Sequence, residues 1–281
     1  MPKIKAIYDK GTAEQIEDGL IINPPFFGVV DGTSEPGRFI GKGLSFGKMS
    51  SGEMVRKIIL GTFYSAKSNE SLERITLQVN RKIRNLWCNC KISLNRSDLI
   101  AGAAFSFIKI GPKKINILQG GDCFALWMNA SGKIGITKNQ VYLHGFETQK
   151  IIAELMKKYK GNRKKMWENF YKPLGQFRLR DINKTIETGY ALLNGQPSLR
   201  KCWQKIDIPV SDLKFLLIFT DGFVPFKKEE ELAKEIVKLY GRGGLDYILK
   251  KKREFEKATE KKSYRVYDEA TAIALKFDKI G

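Results

Sequence analysis

Histidine is almost missing from this sequence: His144 is the single one in 281 residues. A histidine-based metal cluster is therefore excluded. Cysteine is sparse too, with Cys88 and Cys90 one residue apart and Cys123 and Cys202 alone. No Cys-x-x-Cys pair and no zinc spacing is present, so the four are expected to be reduced thiols in or near the core. No apolar run approaches the roughly 18 residues that a membrane-spanning helix needs. The opening Met1-Pro2-Lys3-Ile4-Lys5 lacks the apolar stretch of a signal peptide. The expectation is a cytoplasmic protein with no membrane contact. Repeats and low-complexity linkers are also missing, which favours one domain over residues 1–281.

Positive charge is what the chain has in excess. Fifty Lys and Arg stand against 30 Asp and Glu, a net charge of +20. Such a field concentrates anionic partners. The basic clusters at Lys157-Lys158, Arg163-Lys164-Lys165, Lys250 to Arg253 and Lys261-Lys262 are scattered and interrupted by glutamates, the pattern of solvated helix faces.

Strands are expected at Ile4–Tyr8, Gly19–Ile22 (closed by the turn Asn23-Pro24-Pro25), Phe26–Val30, Leu99–Ile110, Lys114–Leu118, Cys123–Met128, Ile134–Ile136, Leu213–Phe219 and Ala270–Phe277. A glycine-rich loop covers residues 33–47. Met54, Ile58, Ile59 and Phe63 recur at helical spacing and give one helix; Leu72, Ile75, Leu77, Val79, Ile83 and Trp87 are less regularly placed and fit a second, largely buried helix. Further helices are expected at 147–159, 228–240 and 245–259. Residues 160–184 mix basic side chains with Trp167, Phe170, Tyr171 and Phe177, either a substrate-facing insertion or a small subdomain whose aromatics simply pack. Strands in hairpin-like groups separated by helix pairs do not alternate as a parallel sheet requires. Antiparallel sheet with helices outside is the expected class.

Five aspartates recur where an apolar segment meets a turn: Asp18, Asp31, Asp122, Asp221 and Asp268. Three of them precede glycine, where residue frequencies give about one such pair by chance, and each pair alone reads as a turn. Clustered carboxylates raise one another's pKa unless cations neutralise them, and hard oxygen ligands select Mg²⁺ or Mn²⁺. A following glycine lets the backbone carbonyl approach such an ion.

The series Glu17-Asp18, Val29-Val30-Asp31-Gly32, Ala101-Gly102-Ala103-Ala104, Gly120-Gly121-Asp122, Phe219-Thr220-Asp221-Gly222 and Asp268-Glu269-Ala270-Thr271 resembles the type-2C (PPM) metal-dependent protein phosphatase family, in order and in strand context, from about residue 15 to 277. The resemblance implies a four-layer α-β-β-α sandwich of two antiparallel sheets flanked by helices. It implies hydrolysis of phosphoserine or phosphothreonine in a protein substrate by a water bridging two metals, with no nucleophilic side chain. Two or three Mn²⁺ or Mg²⁺ are implied. Asp31 would bridge them, Gly32 would lend its carbonyl, Asp221 and Asp268 would hold the first metal's side, and Asp122 would serve a further site. Asp18, with Glu17 beside it, would orient metal waters. The insertion around 139–185 falls where the family carries a variable flap.

The sequence departs from the family at three points. Ala13 stands where an arginine grips the phosphate, with Lys10 as a substitute. Asp31-Gly32-Thr33-Ser34-Glu35 lacks the usual histidine, and His144 lies outside every motif, a structural or solvent-exposed residue. Glu269 replaces a shorter residue after Asp268. Two other readings compete: a family member that binds phosphoproteins without turnover, and a basic two-metal nuclease. Four retained metal carboxylates oppose the first, and the ordered motifs oppose nucleic acid as partner.

Overall fold

The structure, a computed structural model, describes residues 2–224, 229–259 and 267–277. Its strands are β1 (Lys3–Asp9), β2 (Asp18–Asn23), β3 (Phe26–Thr33), β4 (Ser45–Phe46), β5 (Met49–Ser50), β6 (Gly102–Ile110), β7 (Lys114–Gly120), β8 (Phe124–Asn129), β9 (Ile134–Ile136), β10 (Gln204–Pro209), β11 (Leu213–Phe219) and β12 (Ala270–Lys276). Its α-helices are α1 (Ser51–Tyr64), α2 (Leu72–Asn89), α3 (Tyr142–Lys158), α4 (Arg163–Asp181), α5 (Leu199–Cys202) and α6 (Glu229–Thr259). One five-stranded sheet runs β1-β12-β11-β8-β9 and the other β10-β7-β6-β3-β2. Every strand pair in them is antiparallel.

The strand sequences dictate two layers of packing. In the central strands β3, β6 and β11 the apolar residues are nearly continuous because both faces are covered. On β3, Phe27 and Val29 join the cluster between the sheets, while Phe26 and Val30 join the cluster under α1 and α2. On β11, Leu216 and Ile218 point between the sheets, while Leu217 and Phe219 face α6. This gives four layers, helices–sheet–sheet–helix, an α+β sandwich as expected. Each side chain fully buried in these clusters contributes about 1.5–3 kcal/mol against the cost of ordering the chain.

Helices α1 and α2 start where their sequences cap them. Ser50 Oγ accepts the Glu53 N–H and Ser71 Oγ accepts the Arg74 N–H, each satisfying one otherwise orphaned donor. Helix α6 joins the two expected helices and breaks between them: Gly244, at φ +68°, supplies a backbone conformation that other residues rarely adopt. Residue 228 lies outside the described residues. The expected loop at 33–47 contains a 3-10 turn at Pro36–Ile40 and the short strand β4. Strand β10 escaped the sequence pattern because it is an edge strand with only Ile206 and Ile208 facing inward; Asp207 instead pairs across to Lys114 and Asn116 on β7.

The basic segment after β9 folds into α3 and α4, which pack on each other. Helix α3 starts at Tyr142, five residues before the expected position. Met166 and Phe170 on α4 are buried, and the Trp167 and Phe170 rings lie 5.7 Å apart. These aromatics pack within the insertion. Of the cysteines, Cys123 is buried and Cys90 and Cys202 are half-buried, but Cys88 is exposed. It falls on the solvent side of α2, one residue after the buried Trp87.

Candidate active site

Strand parity brings the aspartates together. Asp31 continues the inward face of Phe27 and Val29, and Asp18 continues that of Leu20. The two are direct cross-strand partners, with Ala104 on β6 at Asp31's other side. A small residue there leaves room above the carboxylates. From the facing sheet, Thr220 continues the inward face of Leu216 and Ile218, and Thr271 that of Ile273 and Leu275. The Thr220 hydroxyl donates to Asp18 Oδ2 at 2.8 Å and accepts the Thr271 N–H at 3.1 Å. Asp221, the next residue, is exposed. Asp122 follows the turn at Gly121, whose φ is +75°, where the chain crosses from one sheet to the other. Asp31, Asp122, Asp18 and Asp221 all lie near enough to Cys123 to add to the effect of burial, which raises its thiol pKa.

The glycines after the aspartates serve close approach as well as turning. Asp18-Gly19 and Asp31-Gly32 lie inside strands, a correction to their reading as turns. A Cβ on Gly32 would stand 2.9 Å from the carbonyl oxygens of both Glu17 and Gly52. The Gly32 N–H donates to the Glu17 carbonyl at 3.0 Å, which fixes the Asp31–Gly32 peptide plane. A Cβ on Gly222 would stand 1.7 Å from the Glu269 carbonyl oxygen.

Two glutamates hold the frame. Glu17 Oε1 accepts the hydroxyls of Ser34 and Ser50, each at 2.5 Å, and lies 3.5 Å from Arg38 Nη1. Its side chain therefore belongs to the loop beside the carboxylates. Glu269 Oε2 accepts the backbone N–H of Glu17 at 2.9 Å, and Oε1 accepts the Tyr8 hydroxyl at 3.0 Å. The extra methylene relative to Asp or Asn gives this side chain the reach to span from β12 to the start of β2. Asp268 is held through its backbone: its carbonyl accepts from Arg253 at 2.8 Å and its N–H donates to Glu256.

Electrostatics decides what the aspartates can hold. Burial pushes the Asp18 pKa up to about 8, Glu269 and Asp221 adding to the rise while the Thr271 and Thr220 side chains oppose it. Burial, then Asp221, pushes Asp122 up to about 8. Among the described residues no three histidine, cysteine or carboxylate side chains converge tightly enough to form a cage for one ion. Carboxylates this unfavourable as anions, oxygen donors only, with adjacent peptide carbonyls, suit hydrated hard cations, which take one or two carboxylates and keep several waters. They do not suit a closed zinc site.

A stability test follows. A carboxyl with a raised folded-state pKa contributes stability below its unfolded value near 4, and that stability is lost as pH rises through about 8. Removing the titration with Asp18→Asn should therefore leave the metal-free protein about as stable at pH 5. At pH 8 the variant should be the more stable by on the order of 2 kcal/mol. Added Mn²⁺ should stabilise the wild type at pH 8 and the variant less, read by thermal melts at both pH values.

Lys10 is exposed, in the turn where its carbonyl accepts the Ala13 N–H. His144 is buried in the insertion, its Nδ1 2.8 Å from Asp181 Oδ2, and burial holds its pKa below the ordinary value. It is structural, as expected. Sequence reasoning missed Arg56. It lies on α1 beneath Gly19, with Nη1 3.4 Å from the Asp18 carbonyl and a buried Nε that has no hydrogen-bond partner among the described residues. The only signal available was its place one turn after Gly52 on a helix that starts beside the Asp31 strand.

Two sheets carrying aspartates to one end of an α-β-β-α sandwich define the fold of the type-2C (PPM) serine/threonine phosphatases. Solved structures share it: the serine/threonine phosphatase Stp1 of Staphylococcus aureus (TM-score 0.56, 15% identity, 99% of this chain and 96% of that one), the catalytic domain of the phosphatase PstP in complex with two manganese ions (0.56, 13%, 98% and 97%), and PppA, a regulatory component of a secretion system in Pseudomonas aeruginosa (0.56, 13%, 98% and 96%). No family profile and no curated protein sequence matches the chain. No helix among the described residues is long and apolar enough to cross a membrane.

Proposed function

We propose that this protein is a metal-dependent phosphoprotein phosphatase that hydrolyses phosphoserine and phosphothreonine in the cytoplasm. The observation that carries the proposal is the opposed pair Asp18 and Asp31 on one sheet, joined through Thr220 to the Asp221 end of the other. Two or three Mn²⁺ or Mg²⁺ would be held by Asp31, the Gly32 carbonyl, Asp221, Asp268 and Asp122, with Asp18 orienting their waters and Glu17 bracing the loop beside them. When bound, such ions activate water and neutralise a phosphoryl group under attack.

The chain's own residues do the rest. Thr220 holds Asp18 from the opposite sheet, so its carboxylate is fixed before any ligand arrives. Glu269 fixes the backbone of Glu17 and Asp18. The 139–185 insertion, α3 and α4, is the variable flap that meets the protein substrate, whose anionic phosphoester the net charge of +20 attracts.

Arg56 is the better candidate than Lys10 for gripping the phosphate, since its guanidinium is already placed beside the Asp18 carbonyl, with Glu53 4.0 Å away, whereas Lys10 is exposed in a turn. Arg56→Ala should raise KM for a phosphothreonine peptide about 10-fold, while Lys10→Ala changes it less than about 2-fold. Steady-state kinetics on both variants separates the two. The proposal itself is tested by phosphothreonine-peptide hydrolysis with Mn²⁺, Mg²⁺ or EDTA. Turnover restored by metal and stopped by EDTA supports it; no turnover with any metal, in folded protein, refutes it.

A further inference from the structure

Arg178 is the most unusual charge in the molecule. It lies near the C-terminal end of α4 and is 4% exposed. No carboxylate lies within ion-pair distance of its guanidinium among the described residues. Instead Nη1 donates to the Ser34 carbonyl at 2.7 Å and Nη2 to the Ile100 carbonyl at 2.8 Å. Its Nε is buried without a partner. Burial lowers its pKa, with Tyr190 and then Glu35 opposing that shift. A buried cation bonded only to neutral carbonyls is a costly choice for joining two segments, because desolvation is met by dipoles and not by a counter-charge.

What Arg178 joins explains the choice. Ser34 lies in the stretch where this sequence departs from the histidine-containing family pattern. The Ser34 hydroxyl donates to Glu17 Oε1 at 2.5 Å and accepts the Gly52 N–H at 3.2 Å. The Glu17 carbonyl in turn accepts the Gly32 N–H at 3.0 Å. An unbroken series of contacts therefore runs from the insertion helix through Ser34 and Glu17 to the Asp31–Gly32 peptide. The α4 end is pinned a second time, by the Ser97 hydroxyl donating to the Arg178 carbonyl at 2.8 Å.

We propose that Arg178 is a positioning residue: through Ser34 and Glu17 it makes the α3–α4 insertion set the geometry of the Asp31–Gly32 peptide at the metal site. The insertion thereby acts on the carboxylate that the proposed reaction depends on, as well as on substrate. The relay concerns backbone geometry and is readable in metal-free protein; its effect on metal rests on the phosphatase reading above.

The test compares Arg178→Met, Ser34→Ala and the double variant with wild type and with Phe170→Leu, a core change on the same helix. Hydrogen exchange of the Gly32 amide is measured in metal-free protein, and Mn²⁺ affinity by calorimetry. Gly32 exchange should rise about 10-fold in each single variant, and no further in the double variant because the two residues act in one series. Mn²⁺ affinity should fall by about 10-fold alongside it. Phe170→Leu should lower the melting temperature while leaving Gly32 exchange and Mn²⁺ affinity within 2-fold of wild type. Unchanged Gly32 exchange in Arg178→Met, additive effects in the double variant, or an equal rise in Phe170→Leu overturns the relay. If wild type binds no Mn²⁺ and turns over no phosphopeptide, the phosphatase reading fails, and the exchange data still decide the relay.

Discussion

Asp31→Asn is expected to abolish metal-dependent phosphopeptide hydrolysis, lowering kcat by about 10³-fold or more. The replacement keeps shape and hydrogen-bonding capacity but removes the charge of the carboxylate proposed to hold the metals. Asp31 sits between Asp18 and Ala104; alanine carries no ligand, and Asp18 is already held by the Thr220 hydroxyl, so neither neighbour is free to replace it. Asp221→Asn should lose activity comparably. The variants must remain folded, and the same parity argument says they will: neither change touches the apolar clusters on either side. Circular dichroism melts alongside initial rates make the comparison. Retention of more than a tenth of wild-type kcat in Asp31→Asn would remove Asp31 from the metal-bridging role.

Gly222→Ala should be the most destabilising glycine-to-alanine change among the described residues. The added Cβ meets a backbone oxygen, that of Glu269 at 1.7 Å, which cannot rotate away as a side chain can. Relief requires separating the end of β11 from the start of β12, where the Thr220 N–H donates to the Thr271 carbonyl at 3.0 Å. The expected cost is at least about 3 kcal/mol, or about 10 °C in melting temperature for a protein of this size. Gly61→Ala on α1 is the control. Nothing lies within 4 Å of a Cβ there, and a helix-interior alanine should stabilise by about 0.5–1 kcal/mol. Equal melting temperatures for the two variants would show that the chain around Gly222 is freer than its contacts imply.

Much of this architecture was legible from continuous apolar runs in the strands and helical spacing in α1 and α2. Phe26 to Val30 and Leu213 to Phe219 are apolar on both faces, which only a doubly covered sheet tolerates. Ile75, Val79, Ile83 and Trp87 mark the buried stripe of α2. The ordered Asp motifs carried the likeness to the phosphatases, and strand parity explains why Asp18 and Asp31, 13 positions apart, share one face. Other parts had no sequence signal. Strand β10 has too few apolar residues to announce itself. Arg56 is an ordinary helical arginine until Gly19 is folded above it, and Arg178 is one basic residue among many until its burial is known. Asp18-Gly19 and Asp31-Gly32 do not form the turns their sequence suggests, because local turn preference cannot reveal the carbonyls that approach Gly32 from residues 15 and 20 positions away; Asp221-Gly222 does open a 3-10 turn.

The contact between Thr220 and Asp18 joins residues 202 positions apart in the chain, one in each sheet. An ion held between Asp31 and Asp221 would fasten the same two layers together at the same end. Its release would then be a step that any large-scale opening of the sandwich has to wait for. Occupancy would set how long the protein survives a protease as well as whether it turns over substrate, and chelation would shorten that lifetime even with every strand in register.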